Sequence, residues 1–221
     1  MSHLPINFLQ HLKTEPGWKY LPLDRISQAQ QLQSQKESWS CGPHSGYRAL
    51  ILNGDEKKGS NNGLADFIRT CPKSVGSPQT NRGKKIMTAA NFLTRGISTV
   101  AMKGLDSIGG NVGPTPGKLA SHINPKSRSS VKKYHCSSWQ QVWPQIQRDI
   151  DRNSPCIILL EFSWRELHYI NLVGYNSKTQ KVAILDTNNS VEVWTVDYFK
   201  YVARIKTIYC GEPGYQIIRF Y

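Results

Sequence analysis

The chain has 221 residues, of which 38% are hydrophobic, and these values predict one globular domain with a full core, with or without an added arm. The number of cysteines, five, is odd, and none of them has zinc-site spacing, which argues against a disulfide scaffold and a zinc site. No apolar run approaches the roughly 18 residues of a membrane helix, which argues against a transmembrane segment. The net charge of +13 predicts attraction to nucleic acid, an anionic lipid surface or an acidic protein surface, although solvated basic loops explain it equally well.

The first 30 residues are predicted to form an N-terminal arm, and residues 31–221 a single domain. The start of the chain, MSHLPINFLQHLKTEPGWKY, has no basic flank followed by an apolar segment, so no classical secretory signal is predicted. The expected location is the cytoplasm, with specialised export as the alternative.

Most of the secondary-structure elements predicted before residue 153 are helices. The segment CGPHSGYRALILNG is predicted to form an apolar helix with Pro43 at its first position and an end at Asn53-Gly54. A second helix, capped by an asparagine, is predicted in NNGLADFIRTC. A third is predicted in GKKIMTAANFLTRG, and the β-branched run ISTVAM predicts a strand after it.

Two more helices precede the strand-rich part of the chain. Thr115 is the expected N-cap of a helix in GPTPGKLASHIN, and SSWQQVWPQIQRDIDRN places Val142, Ile146 and Ile150 on one helix face. Strands are then predicted in CIILLEF, LHYINLVGYN, KVAILDTN, VEVWTV and YQIIRFY, with NSKTQK as a hairpin connection. This order predicts an α+β fold in which an antiparallel sheet packs against a helical half.

Cys41 is the cysteine whose surroundings suit a nucleophile. A thiolate attacks carbonyl groups far better than a thiol does. The unpaired amides and the dipole at a helix N-terminus favour negative charge, and Cys41 stands at such a start, with Gly42 and Pro43 shaping the turn.

The expected base is His168, because it opens the strand LHYINLVGYN and a rigid strand can hold an imidazole against a helix start. The main competitor is His44, three residues after Cys41, although it is expected to be a partly exposed residue lining the same region. The other histidines have less suitable settings, in the arm, near a helix end or beside a basic loop: His3, His11, His122 and His135.

Asp186 is the expected orienter of the imidazole. If LHYINLVGYN and KVAILD pair as a hairpin, the end of the second strand lies beside the start of the first, and Asp186 meets His168. An ordinary turn aspartate is the competing interpretation, with Asn188 and Asn189 as alternates for the role.

Donors for an oxyanion are expected from the backbone amide of Cys41 and the side chain of Gln35, with Gln33 as a substitute for the latter. Trp39 is predicted either to form one wall of the site or to pack in the core. Together with Gly42 and His44 it forms the expected substrate-binding set.

The pattern Q-x5-C-G-P before an apolar helix, followed by LHYINLVGYN and VAILDTNN, resembles the papain-like cysteine peptidases. The similar branch is the bacterial one related to the double-glycine leader peptidases of bacteriocin exporters, and the resemblance covers residues 35 to about 190. It implies Cys41 as nucleophile, His168 as base, Asp186 as orienter and Gln35 as oxyanion donor.

The expected function is hydrolysis of amide bonds in a protein or peptide through a covalent Cys41 intermediate, without a cofactor or a metal. A deamidase, a transglutaminase or an acyltransferase acting on proteins would use the same site. A binding module that holds an anionic partner through basic loops is the alternative outside enzymes. The oligomeric state is left open.

Overall fold

The computed structural model describes residues 6–36, 40–56, 59–72, 113–163, 166–206 and 213–221. Within these ranges, helices occupy mainly the first part of the chain and strands the second. The predicted α+β fold is therefore confirmed. No helix in the described ranges combines the length and the apolar character required to cross a membrane.

Capping residues define the ends of the predicted helices. The helix that begins at Cys41 ends as predicted, because Gly54 adopts a left-handed conformation with φ of 81° and its amide bonds to the Ile51 carbonyl. The Thr115 side chain accepts a hydrogen bond from the Lys118 amide, as predicted for an N-cap. The described helices are α1 (Ile6–Thr14), α2 (Leu23–Gln30), α3 (Cys41–Asn53), α4 (Asn61–Thr70), α5 (Pro116–Ile123), α6 (Trp139–Asp151) and α7 (Val196–Ala203), with a 3-10 turn at Asn124–Lys126.

Two helix starts differ from the prediction. Pro43 is the third residue of α3 rather than the first, a position whose amide also has no acceptor within the helix. Helix α4 is capped by Ser60, whose side chain accepts from the Gly63 amide, and not by an asparagine. The helix predicted in GKKIMTAANFLTRG and the strand predicted in ISTVAM lie outside the described residues.

The strands pair antiparallel throughout the described part of the sheet, in the order β2-β8-β3-β4-β5-β6. Strand β1 pairs with β4, and β7 pairs with β8. The five predicted runs form β3, β4, β5, β6 and β8, whereas β1, β2 and β7 were not predicted. The bounds are β1 (Trp18–Tyr20), β2 (Val131–Cys136), β3 (Cys156–Ser163), β4 (Glu166–Asn176), β5 (Lys181–Leu185), β6 (Val191–Thr195), β7 (Arg204–Ile205) and β8 (Gly214–Phe220).

The predicted hairpin joins β4 to β5 through a turn at residues 177–180. The register pairs Asn176 with Lys181 next to the turn and Asn171 with Leu185 at the other end. Asp186 therefore follows the last paired residue of β5 and lies toward the start of β4.

The predicted arm, residues 1–30, packs on the same core in its described part. Strand β1 pairs with β4, and Phe8, Leu21 and Ile26 are each 0% exposed. Residues before position 30 thus share a hydrophobic core with residues after it. The division into an arm and a domain of residues 31–221 stays a prediction.

A buried ion pair joins helix α6 to strand β8. The Arg219 guanidinium binds the Asp149 carboxylate at two points, with Nε to Oδ2 and Nη2 to Oδ1 both at 2.7 Å. Their side chains are only 9% and 5% exposed. This bidentate geometry pairs two charges that are largely shielded from water.

Candidate functional site

Cys41 is the first residue of helix α3, and it is only 4% exposed. The amides of the first helical turn have no acceptors within the helix, and they form the positive end of its dipole. The fold therefore places the sulfur where a negative charge is favoured.

Two buried hydrogen bonds hold the first turns of α3 against the start of β4. The Ser45 hydroxyl donates to the carbonyl of Tyr169 at 2.8 Å, and the Asn171 side chain donates to the carbonyl of Ser45 at 3.1 Å. Because Tyr169 directly follows His168, these bonds fix the position of His168 relative to the helix that starts with Cys41.

Gly42 allows close packing beside the sulfur. A Cβ atom at this position would lie 2.9 Å from Pro114 Cγ and 3.1 Å from Tyr169 Cδ2, closer than carbon atoms normally approach. Glycine is therefore required by the contact of the helix start with its neighbours. Its predicted role in binding substrate stays a prediction.

His168 and Asp186 meet as the hairpin predicts. His168 Nε2 lies 2.6 Å from Asp186 Oδ1, and the two side chains are 22% and 20% exposed. The same carboxylate oxygen accepts hydrogen bonds from the amide and the hydroxyl of Thr187. Asp186 is thus held by its own turn while it contacts the imidazole.

The His168 imidazole also interacts with the Cys41 side chain through a hydrogen bond. Burial lowers the pKa of His168, but the hydrogen bonds with Asp186 and Cys41 and the charges of these groups outweigh burial and raise that pKa to about 10. Burial raises the pKa of Asp186, but its hydrogen bonds with His168 and Thr187 outweigh burial and lower this pKa below its usual value. The pair therefore favours an imidazolium beside a carboxylate.

Gln35 is tied to the loop after β5. The backbone amide of Gln35 donates to the Thr187 carbonyl at 2.9 Å, and its side-chain Oε1 accepts from the Thr187 hydroxyl at 2.7 Å. Since Thr187 also contacts Asp186, the segment that carries Gln35 is positioned by the same loop as the Asp186 carboxylate.

His44 differs from its predicted exposure. It is 4% exposed, so the prediction of a partly exposed residue is wrong. Burial and the nearby charge of Arg48 lower the pKa of His44 to about 4, which leaves the ring neutral at neutral pH. A buried ring has no open face for substrate, and its substrate-binding role stays a prediction without support from the geometry. Trp39 lies outside the described residues.

Two residues near the site were not predicted. Thr187 bonds to Asp186 and Gln35, as described above. Arg48 is completely buried in α3 and reaches the same loop. A signal for Arg48 was present, because an arginine interrupts the apolar run of YRALIL two helical turns after Cys41.

Replacing Asp186 by asparagine is expected to lower the pKa of His168 from about 10 toward the 6.5 of an unpaired histidine, because the variant lacks the carboxylate whose hydrogen bond and negative charge favour the imidazolium. An NMR titration of the His168 ring protons measures this shift. Asp197→Asn, an exposed change in α7, serves as the control and should leave the titration unchanged. An unaltered His168 titration in Asp186→Asn would contradict the coupling.

A metal centre has no candidate within the described ranges, where no group of three or more His, Cys, Asp or Glu side chains is arranged to hold an ion. The four cysteines described by the structure are all unpaired thiols: Cys41, Cys71, Cys136 and Cys156. Burial raises the pKa of Cys71 to about 12 and that of Cys156 well above its usual range, so both are poor nucleophiles.

Comparison with known proteins identifies a family. No curated protein matches the chain. The sequence profile of the Peptidase_C39 like family matches residues 21–209, which include α3 and the β4–β5 hairpin. This match agrees with the α+β fold and with the predicted papain-like relationship, and it assigns the coarse activity of a cysteine peptidase-type hydrolase. The chain belongs to the Peptidase_C39 like family.

Proposed function

We propose that the protein hydrolyses peptide bonds through a covalent intermediate on Cys41, with His168 as general base and acid and Asp186 as the residue that orients the imidazole. The observation that carries the proposal is the contact of the His168 ring with Asp186 at 2.6 Å and with the Cys41 sulfur. A base that contacts both a nucleophile and an orienting group is the arrangement that acyl transfer requires.

Acylation follows from this order of groups. Because His168 Nε2 is engaged by Asp186, Nδ1 is the nitrogen that takes the proton of Cys41. The sulfur then attacks the carbonyl carbon, and the carbonyl electron pair moves onto the oxygen. When the tetrahedral intermediate collapses, the C–N bond breaks and His168 gives its proton to the departing amine.

Deacylation reverses the roles. The neutral His168 takes a proton from water as the water oxygen attacks the thioester carbon. Collapse of the second intermediate breaks the C–S bond and releases the carboxylic acid. Cys41 leaves as the thiolate beside the imidazolium, ready for the next cycle.

The backbone amide of Cys41 and the side-chain amide of Gln35 are the proposed donors to the oxyanion. The Gln35 Oε1 accepts from Thr187, which supports a fixed orientation in which the nitrogen end of the amide faces away from that hydroxyl. Among the described residues, no feature favours a deamidase, a transglutaminase or an acyltransferase over a peptidase. Binding of an anionic partner by the basic loops stays a prediction.

Reaction with p-nitrophenyl acetate tests the proposal without knowledge of the natural substrate. The expected result is a burst of p-nitrophenol and, after acid quenching, an acetyl thioester that mass spectrometry locates on Cys41. His168→Ala should remove the burst. Acetylation spread over several cysteines, or a burst that survives in His168→Ala, would overturn the proposal.

A further inference from the structure

Arg48 is a fully buried cation beneath the proposed catalytic residues. It lies on α3 seven residues after Cys41, which is two turns along the same face. Its side chain is 0% exposed and is among the largest fully buried side chains of the described core. Arginine is almost never buried to this degree unless it is paired.

The contacts of Arg48 are with neutral groups. Nη2 donates to the carbonyl of Thr187 at 3.3 Å, to the carbonyl of Gln33 at 3.5 Å and to the side-chain oxygen of Asn189. Nη1 lies 3.3 Å from His44 Nδ1. Within the described ranges, no carboxylate forms an ion pair with Arg48, and its buried Nε has no hydrogen-bond partner.

The charge of Arg48 is nevertheless retained and acts on Asp186. Burial lowers the pKa of Arg48 to about 10, and the negative charge of Asp186 opposes this shift. The guanidinium therefore stays a cation at neutral pH. Asp186 contacts the His168 imidazole directly, whereas Arg48 reaches the turn after Asp186 through Thr187 and Asn189.

The acceptors of Arg48 belong to the two loops that carry proposed catalytic residues. Gln33 lies in the segment before α3 that carries Gln35, and Thr187 and Asn189 lie in the turn that starts at Asp186. The loops are also bonded to each other, since Asn189 Nδ2 donates to the Leu32 carbonyl at 2.6 Å. Arg48 connects both loops to the helix that begins with Cys41.

From these contacts we propose that Arg48 is a positioning residue whose buried guanidinium holds the loops carrying Gln35 and Asp186 in register with Cys41. This inference rests on the proposed function of Cys41, His168 and Asp186. A hydrophobic side chain of the same length could fill the space, but it could not bond both loops. The role therefore depends on the guanidinium and not on the volume of the side chain.

The test is the rate at which iodoacetamide alkylates Cys41 at pH 7, with the modified residue identified by mass spectrometry. Arg48→Met keeps the length of the side chain and removes its bonds. We expect it to slow alkylation about tenfold or more, because displacement of Asp186 leaves His168 poorly oriented. Arg48→Lys keeps the charge without the fork of donors and should give an intermediate rate.

Asn189→Gly provides a second variant that leaves the core filled. Asn189 has a φ of 73°, which glycine adopts without strain, so the variant preserves the turn while it removes one of the three acceptors of Arg48 and the bond of Asn189 to Leu32. We expect alkylation to slow by about threefold to tenfold. If Arg48→Met does not fold, the Asn189→Gly rate alone decides, and an unchanged rate overturns the inference.

Arg219→Met is the matched control, because it also removes a buried arginine but does so away from the site. Strand β3 pairs with Arg219 at Cys156, near one end, and with His168 at Leu160, toward the other end. It should lower stability and leave the alkylation rate of the folded protein unchanged. Equal rates in Arg48→Met and the wild type would overturn the inference alone. If alkylation of the wild type does not depend on His168, as judged with His168→Ala, the proposed function itself fails.

Discussion

Cys41→Ala is expected to abolish peptide hydrolysis, with a loss of about five orders of magnitude in kcat/KM, which is typical for removing the nucleophile of a group of residues that act together. The reason is that the covalent route has no other sulfur in contact with His168 among the described residues. Digestion of a proteome-derived peptide library, followed by mass spectrometry of new peptide ends, measures the loss.

Cys71→Ala is the control for this experiment. Cys71 is also a buried thiol, but burial raises its pKa to about 12, which makes it a poor nucleophile. Its removal should leave cleavage intact. Cleavage by Cys41→Ala at the wild-type rate would show that Cys41 is not the nucleophile.

Arg219→Met is expected to lower the free energy of unfolding by about 3–5 kcal/mol. The change leaves the Asp149 carboxylate, which is 5% exposed, without the cation that binds it at two points. A charge left unpaired in the interior is costly because no water replaces the lost partner. Urea unfolding of the wild type and the variant gives the difference directly.

Arg69→Met is the comparison for a surface pair. Arg69 and Asp66 are each 74% exposed and lie 3.2 Å apart, so water screens their attraction. Loss of this ion pair should lower the free energy of unfolding by less than about 1 kcal/mol. If the two arginine variants lose the same stability, the buried pair does not contribute as its geometry suggests.

The hairpin of β4 and β5 shows what sequence reasoning can predict. Alternating and β-branched runs around NSKTQK indicate two paired strands, and antiparallel pairing then brings Asp186 to His168 without any long-range information. The contact at 2.6 Å follows from local pattern alone. Helix α3 was predictable for the same reason, since its signals are local, although it begins at Cys41, two residues before the predicted first position at Pro43.

Strand β2 shows where the same reasoning fails. VKKYHC contains two adjacent lysines that remain exposed, and only Val131 and Cys136 are buried. Such a run has too little alternation to be separated from a basic loop. Its identity as a strand depends on pairing with β8, more than 80 residues away for several of its positions, which no local window contains.

The exposure of His44 and the role of Arg48 were missed for one physical reason. Every residue of α3 from Cys41 to Leu52 is buried, so the helix has no solvent face on which polar side chains would normally lie. The sequence places polar residues on this helix as if it were amphipathic. Only the tertiary packing shows that Arg48 bonds to neighbouring loops and that His44 is buried beside it.

The pH dependence of Cys41 alkylation tests the contact of Cys41 with His168 most directly. At pH 6 an ordinary thiol with a pKa of about 8.5 is almost entirely protonated and reacts slowly. Because His168 stays protonated up to a pKa of about 10, it can stabilise a thiolate at this pH, and the wild type should react with iodoacetamide about tenfold faster than His168→Ala. Equal rates of the two proteins at pH 6 would contradict the thiolate–imidazolium pair.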